Sequence, residues 1–200
     1  MEELMPGVFL FRGYVNEEDI FNTIVELKAE TPFRHMVTPG GKKINVAGFS
    51  MGQCGWYSDR RGYRYEKIDP LSNKPWPSIP DYLTEITGQA AAKAGFEDFA
   101  PDSCFINRYK PGVRLTAHID QDEQDFSQPI VSISVGVSAI FQIFGEKRGG
   151  KAFNIRLNGG DLLIFGGPAR RLYHGVKKLE PQSHPLTGDI RYNLTFRKAL

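Results

Sequence analysis

Cysteine is scarce in this chain. Cys54 and Cys104 are the two it has, far apart and in no CxxC pair, which excludes a disulfide-stapled scaffold and reads as two reduced thiols. No apolar run approaches the length that spans a bilayer. The opening Met1-Glu2-Glu3-Leu4-Met5-Pro6 has neither a basic n-region nor an apolar h-region, so no signal peptide is expected. The expectation is a soluble, cytoplasmic protein with no membrane partner. Charge of one sign is also lacking. The 25 Lys and Arg against 23 Asp and Glu leave a formal net charge of +2, too little to mark a nucleic-acid binder, so any basic patch must be local. No internal repeat, heptad pattern or low-complexity tract is present. What is present is ordinary globular material, 40% hydrophobic and 24% charged over 200 residues. That is enough for one well-filled core, and we expect one domain over residues 1–200, acting as a monomer.

In chain order, Gly7 to Phe11 reads as a strand. Asn16 then caps a helix whose first turn carries Glu17, Glu18 and Asp19 and which stops before Thr31-Pro32. From Met36 to Pro70 glycines punctuate the chain, and Lys42, Lys43, Arg60, Arg61 and Arg64 alternate with Trp56, Tyr57, Tyr63 and Tyr65. This predicts a mobile surface flap of short hairpins or loops. Its composition suits nucleic-acid backbone and stacked bases; a solvated flap over packed aromatics is the other reading. A second helix is predicted from Pro80 to about Ala94, stopped by Gly95. Eight short strands then follow: 103–109, 113–119, 130–137, 139–144, 152–157, 161–165, 171–176 and 190–197. Their number and spacing predict a double-sheet jelly roll over about residues 100–198.

His118-Ile119-Asp120 lies on one predicted strand, so His118 and Asp120 share a face. Opposite strands of a jelly roll face each other across the interior, which brings the distant His174 within reach. Two histidines and a carboxylate leave three octahedral positions open, as non-haem Fe(II) oxygenases require; zinc is a second reading of the same set. His35 and His184 are expected to have no catalytic part.

The last strand, Ile190 to Arg197, alternates cleanly. Arg191, Asn193, Thr195 and Arg197 share one face, and Tyr192, Leu194 and Phe196 the other. If the polar face lines the interior, its arginines need carboxylate partners, and a small dicarboxylate would supply one. If it faces water, it is an ordinary edge pattern. Asn107 and Tyr109, on one face of the 103–109 strand, would suit the same ligand.

Together, Asn107-x-Tyr109, His118-x-Asp120-x-Asp122, the distal His174 and the Arg191-x-Asn193-x-Thr195 run ending at Arg197 resemble the AlkB family of Fe(II)- and 2-oxoglutarate-dependent alkylation-repair dioxygenases. The resemblance extends over about Pro32 to Arg197 and includes Met36 to Gly41 and Asn73 to Pro77. It implies a double-stranded β-helix carrying a nucleotide-recognition flap at about residues 36–70, with Fe(II), 2-oxoglutarate and dioxygen as cofactor and co-substrates. It also implies oxidative demethylation of 1-methyladenine and 3-methylcytosine in DNA, preferably single-stranded, with release of formaldehyde. The resemblance makes His118, Asp120 and His174 the iron ligands. Arg191, Tyr109 and Asn193 would hold the distal carboxylate of 2-oxoglutarate. Arg197 and Asn107 would sit nearer its chelating end, with Ser132 and Thr195 close by. Thr38, Trp56, Tyr63, Tyr65, Asp122 and Arg148 would meet the nucleotide. Gly48 stands where the bacterial members carry a bulky apolar residue, Ile119 where they have a polar one, and Arg114 in place of a lysine. These departures bear on the choice of lesion and strand. RNA or tRNA as the target, a hydroxylase of protein or small molecules on the same fold, and a metal-binding jelly roll that is not an enzyme are the alternatives left open.

Overall fold

The computed structural model describes residues 1–200. It contains strands β1 (Glu2–Met5) and β2 (Val8–Phe11), helix α1 (Glu17–Glu30), and strands β3 (Arg34–Val37), β4 (Lys43–Gly52), β5 (Gly55–Asp59) and β6 (Gly62–Glu66). Helix α2 (Asp81–Lys93) precedes β7 (Ser103–Tyr109), β8 (Leu115–His118), β9 (Ile130–Gly136) and β10 (Ala139–Gly145). The chain closes with β11 (Phe153–Leu157), β12 (Leu162–Phe165), β13 (Tyr173–Val176) and β14 (Arg191–Arg197).

Eight strands form a major sheet in the order β1-β2-β12-β9-β14-β7-β4-β3, and four form a minor sheet, β11-β10-β13-β8. The pair β5-β6 stands apart as a hairpin. The major sheet is covered on both sides. Against one face, Ile20 and Ile24 of α1 and Leu83, Ala90 and Ala91 of α2 pack with Phe49, Ile106, Ile133, Leu194 and Phe196. Between the sheets, Leu10, Ile130, Leu163 and Phe165 meet Phe141, Ile143, Ile155 and Val176. This explains why β9, Ile-Val-Ser-Ile-Ser-Val-Gly, is buried at every position: it lies under helices on one side and under the minor sheet on the other.

Both helices end as their sequences dictate. Asn16 Oδ1 accepts the Glu18 amide at 3.0 Å, and three acids fill the first turn of α1. Helix α2 gives way at Ala94 to Gly95, which takes φ +88°.

The expected mobile flap over 36–70 needs correction. Lys43–Gly52 is a ten-residue strand of the major sheet, hydrogen-bonded to β7 in the register Phe49↔Ile106 and Met51↔Cys104. Its glycines are places of close approach, not turn punctuation. A Cβ at Gly48 would lie 2.3 Å from Phe105 Cζ and 2.8 Å from the Ile106 carbonyl oxygen. The Phe105 ring thus fills the space a side chain at position 48 would need. The part that stands off the sheet is the β5-β6 hairpin with the turn before β4. Strand β1, which pairs with β2, was not anticipated either.

Both thiols are sealed in, with no exposure at either residue. Burial, and then Asp102, push Cys54 up to about 11, and burial also pushes Cys104 up. A raised folded-state pKa favours the neutral thiol, so its contribution to stability is whole below the unfolded thiol's pKa of about 8.5 and is lost as pH climbs through the folded value. We predict that neither cysteine reacts with an aromatic disulfide reagent at pH ~8 in the native protein and that both react after denaturation. Rapid labelling of native protein would contradict the packing described.

Candidate metal centre and its cavity

Strands β8 and β13 are hydrogen-bonded neighbours in the minor sheet, with His174 opposite His118. That pairing joins two residues 56 positions apart in the sequence. Asp120 lies two residues beyond the end of β8. The ligand atoms of His118, Asp120 and His174 lie within 4.8 Å of one another. His118 Nε2 stands 3.5 Å from Asp120 Oδ1, and His174 Nε2 is 3.8 Å from Asp120 Oδ2.

The rings are oriented by local backbone. His118 Nδ1 lies 2.9 Å from the Thr116 carbonyl oxygen and His174 Nδ1 3.1 Å from that of Leu172. A carbonyl only accepts, so each Nδ1 carries the hydrogen and each Nε2 offers its lone pair to the shared space. Burial, with the neighbouring His118, lowers His174 to about 4. Burial opposes the charge on Asp120, yet the Arg197 guanidinium beside it holds it well below the usual carboxylate range. Arg197 Nη2 donates to Asp120 Oδ2 at 2.8 Å, leaving Oδ1 for an ion.

Arg197 is in turn one member of a buried charge cluster. Its Nε lies 3.2 Å from Glu123 Oε1, which also accepts the Tyr65 hydroxyl at 2.6 Å. Arg170 Nη2 donates to Glu123 Oε2, and Arg170 Nη1 to the Asp120 carbonyl oxygen, each at 3.0 Å. A metal-facing carboxylate, the 120–128 loop and the β6 strand of the hairpin are therefore tied by one set of charge-assisted bonds. The sequence reading did not single out Glu123 and Arg170. Glu123 only shared a stretch with Asp120 and Asp122, and Arg170 had no advance signal.

The polar face of β14 does point between the sheets. Arg191, 2% exposed, donates from Nη2 to Ser134 Oγ at 2.7 Å and from Nη1 to the Val137 carbonyl oxygen at 3.3 Å. Its Nε has no partner, and no carboxylate forms an ion pair with it. Burial lowers its pKa to about 10. Tyr109 lies opposite Arg191 on β7 and Asn107 opposite Asn193. Asn193 Nδ2 donates to Ser132 Oγ at 2.7 Å, and Asn107 Nδ2 to Thr195 Oγ1 at 3.3 Å. A buried guanidinium with an orphaned N–H, beside a phenol and two amides, fits the distal carboxylate of 2-oxoglutarate. Two imidazoles and a carboxylate around an open space fit Fe(II).

A cavity of about 500 Å³ opens onto His118 and Asp120, and Thr38, Trp56, Tyr63, Tyr65, Asn107, Asp122, Arg148 and Arg197 help to line it. Arg191, Tyr109, Asn193, Ser132 and Thr195 lie outside its lining. Trp56 stacks on Tyr63 with ring centres 5.8 Å apart and meets the edge of Phe105. Its indole N–H donates to Asp122 Oδ2 at 2.8 Å. Burial raises the Asp122 carboxyl, with Glu123 and Asp120 adding to the effect against the Trp56 hydrogen bond. Arg148 Nε donates to the Ala117 carbonyl oxygen at the rim. Tyr65 turns its hydroxyl inward to Glu123, away from the solvent side of the flap.

Two of the flap's expected free cations are not free. The β5-β6 hairpin sets Arg61 and Arg64 against Asp59, 3.1 Å and 3.0 Å away, and Arg64 also pairs with Glu66. Lys42, Lys43 and Arg60 form no ion pair.

The family model of the 2OG-Fe(II) oxygenase superfamily matches residues 7–197. The alpha-ketoglutarate-dependent dioxygenase AlkB of Escherichia coli (strain K12) is 45% identical over 200 residues, covering 99% of this chain and 93% of the relative. A homologue from Caulobacter vibrioides is 36% identical, covering 98% and 89%. The solved structure of OsALKBH1 superposes with a TM-score of 0.82 at 28% identity, covering 98% of this chain and all of that one.

Metal titration under anaerobic conditions, with Co(II) absorption as a second readout, tests the ligand set. We expect one ion per chain. We also expect Asp120→Ala and His174→Ala to bind it at least ~100-fold more weakly, beyond the loss that follows from disturbing a ligand's supporting hydrogen bond. Circular dichroism should be unchanged. Undiminished binding in either variant removes that residue from the set.

Proposed function

The chain belongs to the AlkB family of Fe(II)- and 2-oxoglutarate-dependent dioxygenases, and from that premise we propose that it removes N-methyl groups from alkylated bases in DNA. The substrates are of the 1-methyladenine and 3-methylcytosine type, preferably in single strands. The observation that carries this reading is the cavity itself: an aromatic hairpin roofs it, carboxylates line it, and His118 and Asp120 of the triad stand in its wall with His174 buried behind them.

Fe(II) and 2-oxoglutarate, when bound, would supply the dioxygen chemistry that hydroxylates a methyl carbon, which is then lost as formaldehyde, while 2-oxoglutarate takes the other oxygen atom and leaves as succinate and carbon dioxide. The protein supplies position and charge. His118, Asp120 and His174 hold the ion, with Arg197 fixing the second oxygen of Asp120. Arg191, Tyr109 and Asn193 hold the distal carboxylate. Asn107 and Arg197 lie toward the chelating end, and Ser132 and Thr195 support the two amides. A base methylated at adenine N1 or cytosine N3 is cationic. Trp56 offers it an indole face, with cation–π attraction of about 1–2 kcal/mol. Asp122 has one oxygen engaged by Trp56 and the other free for an exocyclic amine. The same methylation blocks Watson–Crick pairing, so extrusion is easier than for an intact pair. Thr38, Tyr63 and Arg148 sit at the rim where the nucleotide's backbone would pass, and Tyr65 holds the hairpin through Glu123. Residues 1–200 act as one unit and as a monomer, since triad, cavity and hairpin are complete within one chain.

The test is an aerobic reaction with Fe(II), 2-oxoglutarate and a single-stranded oligodeoxynucleotide carrying one 1-methyladenine, in parallel with the same lesion in RNA. We expect the methyl mass to disappear from the DNA with matching formaldehyde and succinate. We expect Trp56→Ala to lower repair by at least ~10-fold, the worth of about 1.4 kcal/mol, while 2-oxoglutarate consumption without DNA is kept. Succinate formation with neither oligonucleotide repaired would refute the base-demethylation reading. Equal loss of both activities would make Trp56 structural.

A further inference from the structure

A group of cations outside the cavity has no task in the chemistry above. Lys110, Arg114, Arg156, Lys177 and Lys178 are all exposed. None takes part in an ion pair, although Arg12, Arg34, Arg61, Arg64, Arg170 and Arg197 all do. The backbone gathers them. The Lys110–Val113 turn is hydrogen-bonded to the segment after β13, with Gly112 N–H donating to the Leu179 carbonyl oxygen and Leu179 N–H to that of Val113, both at 2.8 Å. A Cβ at Gly112 would lie 3.8 Å from Lys178 Cε. Arg156 and Lys178 line one groove of about 370 Å³, in which Glu180 is the single carboxylate.

This ridge is continuous with the cavity mouth. Leu115 and Thr116 of β8 and Tyr173 of β13 belong to the cavity wall. Arg114 immediately precedes β8, and Lys177 and Lys178 immediately follow β13. From Tyr173 to Lys178 the chain covers about 17 Å at ~3.3 Å per strand residue. The flap closes the cavity from the β3–β6 side, and the ridge leaves it from the β8–β13 side.

We propose that Lys110, Arg156, Lys177 and Lys178 form a backbone track for the strand that delivers the base, extending the nucleic-acid interface beyond the cavity on one side of the lesion. The proposal rests on the base-demethylation reading. Charge complementarity and continuity with the mouth select a phosphodiester strand as the occupant. Unpaired surface cations neutralise phosphates without reading sequence.

The test measures binding of labelled single-stranded oligodeoxynucleotides to the anaerobic Fe(II)- and 2-oxoglutarate-loaded protein across a salt series. One probe is about five nucleotides long with a central 1-methyladenine. Two others are about fifteen long with the lesion near the 5′ or the 3′ end, and unmethylated copies of all three serve as controls. We expect one of the two long probes to bind more tightly than the short one and with a steeper salt dependence. The variant K110A/R156A/K177A/K178A should lose that gain, its slope of log affinity against log salt becoming shallower by about 3, or ~0.7 per lost phosphate contact. Its binding and turnover of the short probe should match the parent, which also reports that the fold is intact. Retention of the length gain and slope by the variant, or an equal gain for both long probes, overturns the track. A parent protein that fails to prefer the methylated short probe instead refutes the demethylase reading, and the unmethylated long probes then decide the track by themselves.

Discussion

The interior is organised by two arginines on one strand face. Arg197 is buried but meets Asp120 and Glu123, so its charge is compensated within the chain and held permanently on. Arg191, at the other end of the same face, is buried among carbonyls, a serine hydroxyl and a phenol-bearing strand, with an unpartnered Nε. Dry burial of an uncompensated guanidinium is unfavourable by several kcal/mol. A carboxylate arriving beside its free N–H would complete it. Between the two arginines lie Asn193 and Thr195, each joined to a neighbouring polar side chain. The face therefore runs from a free positive charge, past neutral donors, to a metal-facing carboxylate. A short dicarboxylate with a chelating end suits that sequence of groups.

The fold makes this arrangement possible by covering the major sheet twice. The helices bury Tyr192, Leu194 and Phe196 on one side of β14, which releases the other side for polar work. The minor sheet closes over that side and brings His174 to His118 by strand pairing. Paired β-strands thus carry the two histidines and the loop after β8 carries Asp120, whereas the cavity's outer side is built from a two-stranded hairpin tied down by Tyr65 and by the Trp56–Asp122 bond.

Much of this was legible in the residues. The alternation of β14, the His118-x-Asp120 spacing and the regular turns after residue 100 express strand periodicity, which a sequence states directly. Three features were hidden because they depend on long-range packing. Strand β4 looked like a loop because Gly48 and Gly52 read as turn residues. In the fold Gly48 is small so that Phe105 can pass. Arg61 and Arg64 looked like free cations until hairpin pairing set them against Asp59 and Glu66. Glu123 carried no pattern of its own, since its role depends on Arg170 and Tyr65, both more than 40 residues away. Periodicity reports which face a side chain takes, but not which partner it meets there.

The most direct test of the central claim is an anaerobic titration of the Fe(II)-loaded protein with 2-oxoglutarate and with pyruvate, which keeps the chelating keto acid but lacks the distal carboxylate. The visible absorption of the chelate would be followed in wild type and in Arg191→Gln. If Arg191 is the receptor for the distal carboxylate, wild type binds 2-oxoglutarate at least ~100-fold more tightly than pyruvate, the worth of about 3 kcal/mol for a buried charge pair. Arg191→Gln should abolish most of that difference while still chelating pyruvate. Equal affinity for the two keto acids in the wild type, or an undiminished preference in the variant, would contradict the account.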